Sequence, residues 1–392
     1  MRRPTGITFL VIALGFLLGA PPAFSVKWEC PLDTNGDGIM DNVTPVPGVK
    51  CQHLAAGDGF VTMGDGTPMY IFGFADVTNR PLDNIMASGM LGANFSAPTI
   101  TAAQNDNLYL TVTNVGMAMR PDLFDGHTVH WHGFPNASAV FDGVPEVSIA
   151  VKMGASLSYF YKVMTPGTFM YHCHMEVVEH MQMGMLGNLY VTPAQDGTPV
   201  GGFTTFAYND GDGTTGYDVA YPIQIAAFDP AFHNQSEEVQ PLPFAAMDDR
   251  YPMLNGRGYP DTVNPAPIVT APPDGVTPSQ RLPALITAAA GQRVLLRISS
   301  LSTTSFHTLE SAGIPMRVVG RDAALLRGPT GIDLSYDANS VTVGGGQSTD
   351  VLLQIPAAVP VGTTYFLYVR ELEHMNNDAD RFGGMMTEIR VQ

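Results

Sequence analysis

The stretch Tyr171-His172-Cys173-His174-Met175-Glu176-Val177-Val178-Glu179-His180-Met181-Gln182-Met183-Gly184-Met185-Leu186 packs a thiol, three imidazoles and several thioethers into one short segment. The residues before it, Gly167 to Tyr171, are aromatic and β-branched and follow Thr-Pro-Gly, which predicts a strand. Side chains on a strand alternate faces. His172 and His174 therefore point one way and Cys173 the other. A thiolate, imidazoles and a weak thioether form the soft donor set that selects copper, and Cys173, His180 and Met185 supply one of each.

A further histidine is needed on the cysteine's side. The segment His127-Thr-Val-His130-Trp-His132-Gly133 offers it. His130 and His132 share a face, and His127 looks away from them. Two such strands side by side give two sites. One holds His127, Cys173, His180 and Met185; the other holds His130, His132, His172 and His174. Cys173 and its flanking histidines are a short covalent link between them.

The paired motifs His-x-x-His-x-His-Gly and His-Cys-His-x(n)-His-x(4)-Met resemble those of the multicopper oxidases, the family of laccases, ascorbate oxidase and ceruloplasmin-like proteins. The resemblance covers most of residues 57–392. It implies that His127, Cys173, His180 and Met185 hold a type 1 copper that takes electrons from a substrate. It implies that His130 faces a type 2 copper, and that His132, His172 and His174 face a type 3 pair, where dioxygen is reduced. The Cys173–His180 spacing is longer than is usual in laccases, which bears on the shape and potential of the type 1 site. Phe141-Asp142-Gly143 looks like the Asp-Gly segment of laccase first domains. That likeness makes Asp142 a candidate for delivering protons to dioxygen; a plain Asp-Gly turn is the alternative.

With 392 residues, 41 glycines, 31 prolines and 14% charged residues, the chain reads as a β-rich, turn-rich protein of two domains. The net charge of −17 argues against nucleic acid or an anionic membrane as partner. Arg2-Arg3 before the apolar run Ile7 to Ala20 reads as a secretory signal peptide over 1–25, placing the mature protein in the periplasm or outside the cell, free of the membrane. The run is shorter than the roughly 20 residues of a membrane span. In an exported chain Cys30 and Cys51 are expected to form a disulfide. Between them, Asp33, Asn35, Asp37 and Asp41 alternate around glycines as in a calcium-binding loop, although the expected glutamate is missing and Thr44 stands in its place. A solvated Asp/Asn/Gly turn is the other reading.

Residues 26–56 form this N-terminal segment, 57–195 a copper-binding domain and 196–222 a Gly/Thr/Asp-rich linker. His233 reads as structural. From about 284 the first domain's pattern returns within a second domain, 223–392. Ala289 to Ser299 echoes Ala102 to Val112, His307-Thr308 echoes His127-Thr128, and Gly384-Met385-Met386 echoes Gly184-Met185-Leu186. Matching Thr364–Tyr368 to Gly167–Tyr171 sets Glu310 and Ala312 against His130 and His132, and Val369, Arg370 and Glu371 against His172, Cys173 and His174. The second domain thus lacks most copper ligands. The predicted fold is all-β: two cupredoxin-like Greek-key β-sandwich domains.

A complete cluster in the family uses twice as many histidines as this chain offers, half from each of two domains. The missing ones must come from another chain, which predicts a homo-oligomer with two first domains meeting about a two-fold axis. Three functions compete. The leading one is an exported oxidase that passes electrons from small reductants or metal ions to dioxygen. A copper nitrite reductase would share the two-domain plan, but such enzymes carry an aspartate at the place of His130 and no histidine at that of His174. A blue-copper electron carrier would leave the four cluster histidines without a task.

Overall fold

The computed structural model describes residues 26–41, 46–238, 241–269 and 278–392. Residues 1–25, for which a signal peptide is expected, lie outside the described residues. Two β-sandwiches follow each other along the chain. The first has one sheet in the order β2-β1-β4-β6, built from β1 (Val49–Thr62), β2 (Pro68–Asp76), β4 (Asn107–Gly116) and β6 (Ser156–Lys162). Its other sheet runs β3-β8-β7-β5, from β3 (Ala97–Ala103), β5 (His130–His132), β7 (Gly167–His172) and β8 (Leu186–Thr192). Leu108, Leu110 and Val112 of β4 are wholly buried between the sheets. They join Phe72, Phe74, Trp131, Tyr171 and Cys173 in one core. β1 begins at Val49, so the N-terminal segment 26–56 already feeds the first sheet. The Cys30–Cys51 disulfide ties the preceding loop to this strand. Among the described residues no helix is long and apolar enough to cross a membrane.

The second sandwich repeats the plan. β9 (Val219–Phe228) runs parallel to Arg293–Ser300, as β1 runs parallel to β4. A five-stranded sheet faces it, in which Thr364–Val369 pairs with both His307–Ala312 and Met386–Val391. Residues 196–222 pack on this sandwich: the Tyr208 hydroxyl donates to Asp350, and Arg327 pairs with Asp212.

Strand register corrects the alignment of the two copies. In the first domain His130 lies opposite His172, and His172 opposite Leu186. In the second, Glu310 lies opposite Tyr368, and Tyr368 opposite Met386. Tyr368, Val369 and Arg370 therefore match His172, Cys173 and His174, one residue earlier than the aromatic run suggests. A one-residue slip exchanges the faces of every side chain on a strand. The buried residues Leu367 and Val369 fix the true register. The counterpart of Cys173 is Val369, not Arg370.

The domains are joined by buried polar groups. Asp350 accepts from Thr168 at 2.5 Å and from Tyr208 at 2.5 Å; Arg297 donates to Thr168 at 3.1 Å and lies 4.0 Å from Asp350. Thr168 sits on β7, so the strand that leads to Cys173 is held from the second domain. Asp350→Ala leaves Arg297 buried without a counter-charge. It should destabilise the protein by about 3–5 kcal/mol, read as a lower thermal midpoint; a midpoint equal to the wild type would show that the network contributes nothing.

Candidate metal centre

Cys173 follows directly on β7 and is wholly buried. Its amide donates to the Met185 carbonyl at 3.0 Å, and the Met185 amide donates to the His180 carbonyl at 2.8 Å. These two bonds fold the short helix Val177–Gln182 back over the sulfur. His180 Nδ1 comes to 3.2 Å from Cys173 Sγ, and His127 Nδ1 to 3.8 Å. His127 is placed by pairing with Val151. Both imidazoles are wholly buried, as is Met185. The Thr128 amide points to the sulfur at 3.5 Å. Phe72 meets the His180 ring edge-on at 5.6 Å and walls one side. Met183 is fully buried in the core, so its thioether serves packing.

Burial governs the protonation of this set. It pushes the thiol of Cys173 up to about 11 and lowers His180 to about 4. His127 is lowered well below the usual imidazole range by burial and then by His180. Two neutral imidazoles and a thiol converge, with ligand atoms all within 4.8 Å of one another. Among the described residues no buried cationic side chain faces the sulfur to stabilise a thiolate, so the group that fits is a cation that displaces the thiol proton.

The second site lies across the strand. The His130–His172 register sets these two rings 5.2 Å apart, with His174 5.1 Å from His130 and His132 5.6 Å from His172. Nitrogens of His130, His132 and His172 lie within 4.8 Å of one another. His130 Nδ1 donates to the Asp142 carbonyl at 2.6 Å, and His172 Nδ1 to the Cys173 carbonyl at 2.8 Å. Each bond fixes the tautomer and leaves Nε2 as a lone pair, as metal-binding histidines require. The Asp142 carboxylate is 3.5 Å from His130 Nδ1 and partly exposed. All four histidines line one cavity of about 290 Å³. Its far wall is the chain's own second domain, through Leu301, Ser302, Thr303, Gly345 and Gly346, none of which carries an imidazole or carboxylate. Gly346 approaches so closely that an added Cβ would lie 2.7 Å from His132 Nε2.

The predicted residues thus gather as strand parity requires, on two sides of Cys173. Two neighbours escaped the sequence reading. His180 Nε2 is buried without a hydrogen-bond partner and faces Asp125 at 3.9 Å and Glu176 at 4.0 Å. The position of Glu176 one helical turn before His180 was a usable signal; nothing in the sequence marked Asp125. The Asp33–Asp41 loop closes on itself. Asp33 accepts the amides of Gly36 and Gly38, Asp41 accepts that of Thr34, and Asn35 donates to Asp37. His233 is buried between the carbonyls of Tyr70 and Gln182, a structural post under the helix.

The chain is similar to known proteins along both domains. A family model described as multicopper oxidase matches residues 78–196, and a second so described matches 236–388. An L-ascorbate oxidase of Cucurbita pepo var. melopepo is 31% identical over 107 residues, 27% of this chain and 18% of the relative. A laccase of Ustilaginoidea virens is 31% identical over 106 residues, 26% of this chain and 14% of the relative. The match thus spans less than a fifth of either relative. The blue copper oxidase of Nitrosomonas europaea shares the fold with a TM-score of 0.64 at 20% identity, covering 88% of this chain and 86% of that one. The copper nitrite reductase of the same organism does so with 0.58 at 16%, covering 88% and 94%.

A copper(II) ion bound at Cys173 would have to release the thiol proton, because burial pushes that thiol up to about 11. His180, lowered by burial to about 4, and His127, held well below the usual imidazole range by burial, are already neutral and release none. Apparent affinity should therefore rise about tenfold per pH unit between roughly pH 5 and 8 and fall with acid. Chelator competition at several pH values in a His130/His132 double alanine variant measures this; a flat profile would contradict it.

Proposed function

The chain belongs to the multicopper oxidase family, and on that premise we propose that it is an exported copper oxidase that draws single electrons from a small reductant or metal ion and delivers them to dioxygen. The observation that carries this reading is the placement of two donor sets on opposite sides of one residue, Cys173. His127, Cys173, His180 and Met185 would hold a type 1 copper. His130 would hold a type 2 copper, and His132, His172 and His174 a type 3 pair. When bound, the coppers supply one-electron storage and the Lewis acidity that dioxygen reduction needs.

The protein's own groups do the rest. His180 is closed off from solvent, yet its Nε2 faces Asp125 and the largely exposed Glu176. A reductant docking on these carboxylates lies one imidazole away from the sulfur, and the acidic rim favours cationic or neutral reductants. The peptide of Cys173 and the hydrogen bond from His172 to its carbonyl join the two sites over a few bonds. Asp142 holds His130 in one tautomer through its carbonyl. Its carboxylate, open to solvent, can carry protons toward the cavity. Four imidazoles from one chain leave the cluster half built, and the second domain adds none. The rest would come from a further copy, such as a two-fold pairing of first domains.

Oxygen uptake with a one-electron donor, together with copper per chain and native mass, tests this. Cys173→Ser should abolish the blue absorption and reduce uptake to background. Asp142→Asn should keep the colour and lower turnover roughly 10–100-fold. A blue protein that takes up no oxygen, or that turns over nitrite faster than oxygen, would overturn the assignment.

A further inference from the structure

The corrected register reveals what replaced the sulfur site in the second domain. His307 pairs with Val343 as His127 pairs with Val151. The Val369 amide donates to the Met385 carbonyl at 3.0 Å, and the Met385 amide to the His374 carbonyl at 3.0 Å. These are the two bonds that join Cys173, Met185 and His180 in the first domain. His307, Val369, His374 and Met385 therefore occupy the places of His127, Cys173, His180 and Met185. Only the thiol is gone; two imidazoles and the thioether remain.

The rings keep the first domain's arrangement. His307 and His374 lie 4.8 Å apart at 52°, against 5.2 Å and 54° for His127 and His180. Nδ1, the nitrogen that faces sulfur in the first domain, is buried and without a partner in both His307 and His374. His307 Nε2 lies 3.2 Å from the Ser302 hydroxyl, which can hold the proton there and leave Nδ1 as a bare lone pair. Two buried nitrogens without partners on adjacent rings are costly in a core unless something binds them. His307 is wholly enclosed, and so are Val369 and Met385. The Thr308 amide, counterpart of the one that points to Cys173 Sγ, here donates to Glu371 at 3.1 Å, placing a negative charge beside the pair. His374 also lines a cavity of about 470 Å³ with Asp248, Asp249, Glu373 and Asp378, whose carboxylates outnumber its one arginine, Arg250.

We propose that the second domain binds one copper(I) ion through His307, His374 and Met385, a thiolate-free counterpart of the sulfur site. Neutral nitrogen and thioether donors select the soft monovalent ion. Without a thiolate the site has no intense visible band, so it is invisible in the colour of the protein. The inference does not rest on oxidase activity, since its donors lie outside both first-domain sites.

The full-length protein should be titrated anaerobically with copper(I) against bicinchoninate. His374→Ala should bind one copper fewer per chain than the wild type. Its blue absorption after copper(II) loading should be unchanged, which shows that the first domain is intact. Val369→Cys should restore the missing ligand and about double the blue absorbance per chain on copper(II) loading. Equal copper counts in wild type and His374→Ala, or no added absorbance in a soluble, blue Val369→Cys protein, would overturn the proposal.

Discussion

The antiparallel pairing of β5 on β7, with His130 opposite His172, is the constraint on which the metal centre depends. It brings two ligand-bearing segments, far apart in sequence, into one register. Since strand side chains alternate, that single register sends four histidines to one side and the thiol of Cys173 to the other. The same pairing packs Trp131 against Tyr161 at 3.9 Å, so the hydrophobic core and the metal centre are fixed by one ladder.

What lies around the ladder sets the chemistry. The helix folded back by the Cys173–Met185 and Met185–His180 bonds brings His180 to the sulfur and keeps it dry. Dryness holds the imidazoles neutral and the thiol protonated, a state ready to exchange its proton for a cation. On the other side the four histidines line one wall of a cavity, and the second domain closes the opposite wall with Leu301, Ser302, Thr303, Gly345 and Gly346. Gly346 is among these because nothing larger fits beside His132.

The second domain repeats the scaffold around Cys173 with one donor replaced. The backbone bonds that position the helix-loop, the ring angle and the buried methionine all survive, while Val369 fills the place of the cysteine. A valine packs where a thiol packed, so the core is undisturbed. The donor set is changed, yet the fold is not.

The sequence alone determined the donor types, the parity that separates the two donor sets, the Cys30–Cys51 bridge and the repeat of a β-sandwich. All of these follow from local spacing along a strand or from residue chemistry. Only the tertiary structure decided which residues of the second domain answer to those of the first. Register is set by burial across the sheet, and similar aromatic runs such as Phe-Met-Tyr171 and Phe-Leu-Tyr368 can be matched one residue out. It also decided that Asp125 and Glu176 meet at His180, and that the second domain walls the four-histidine cavity, because contacts across long sequence separations leave no local pattern to read.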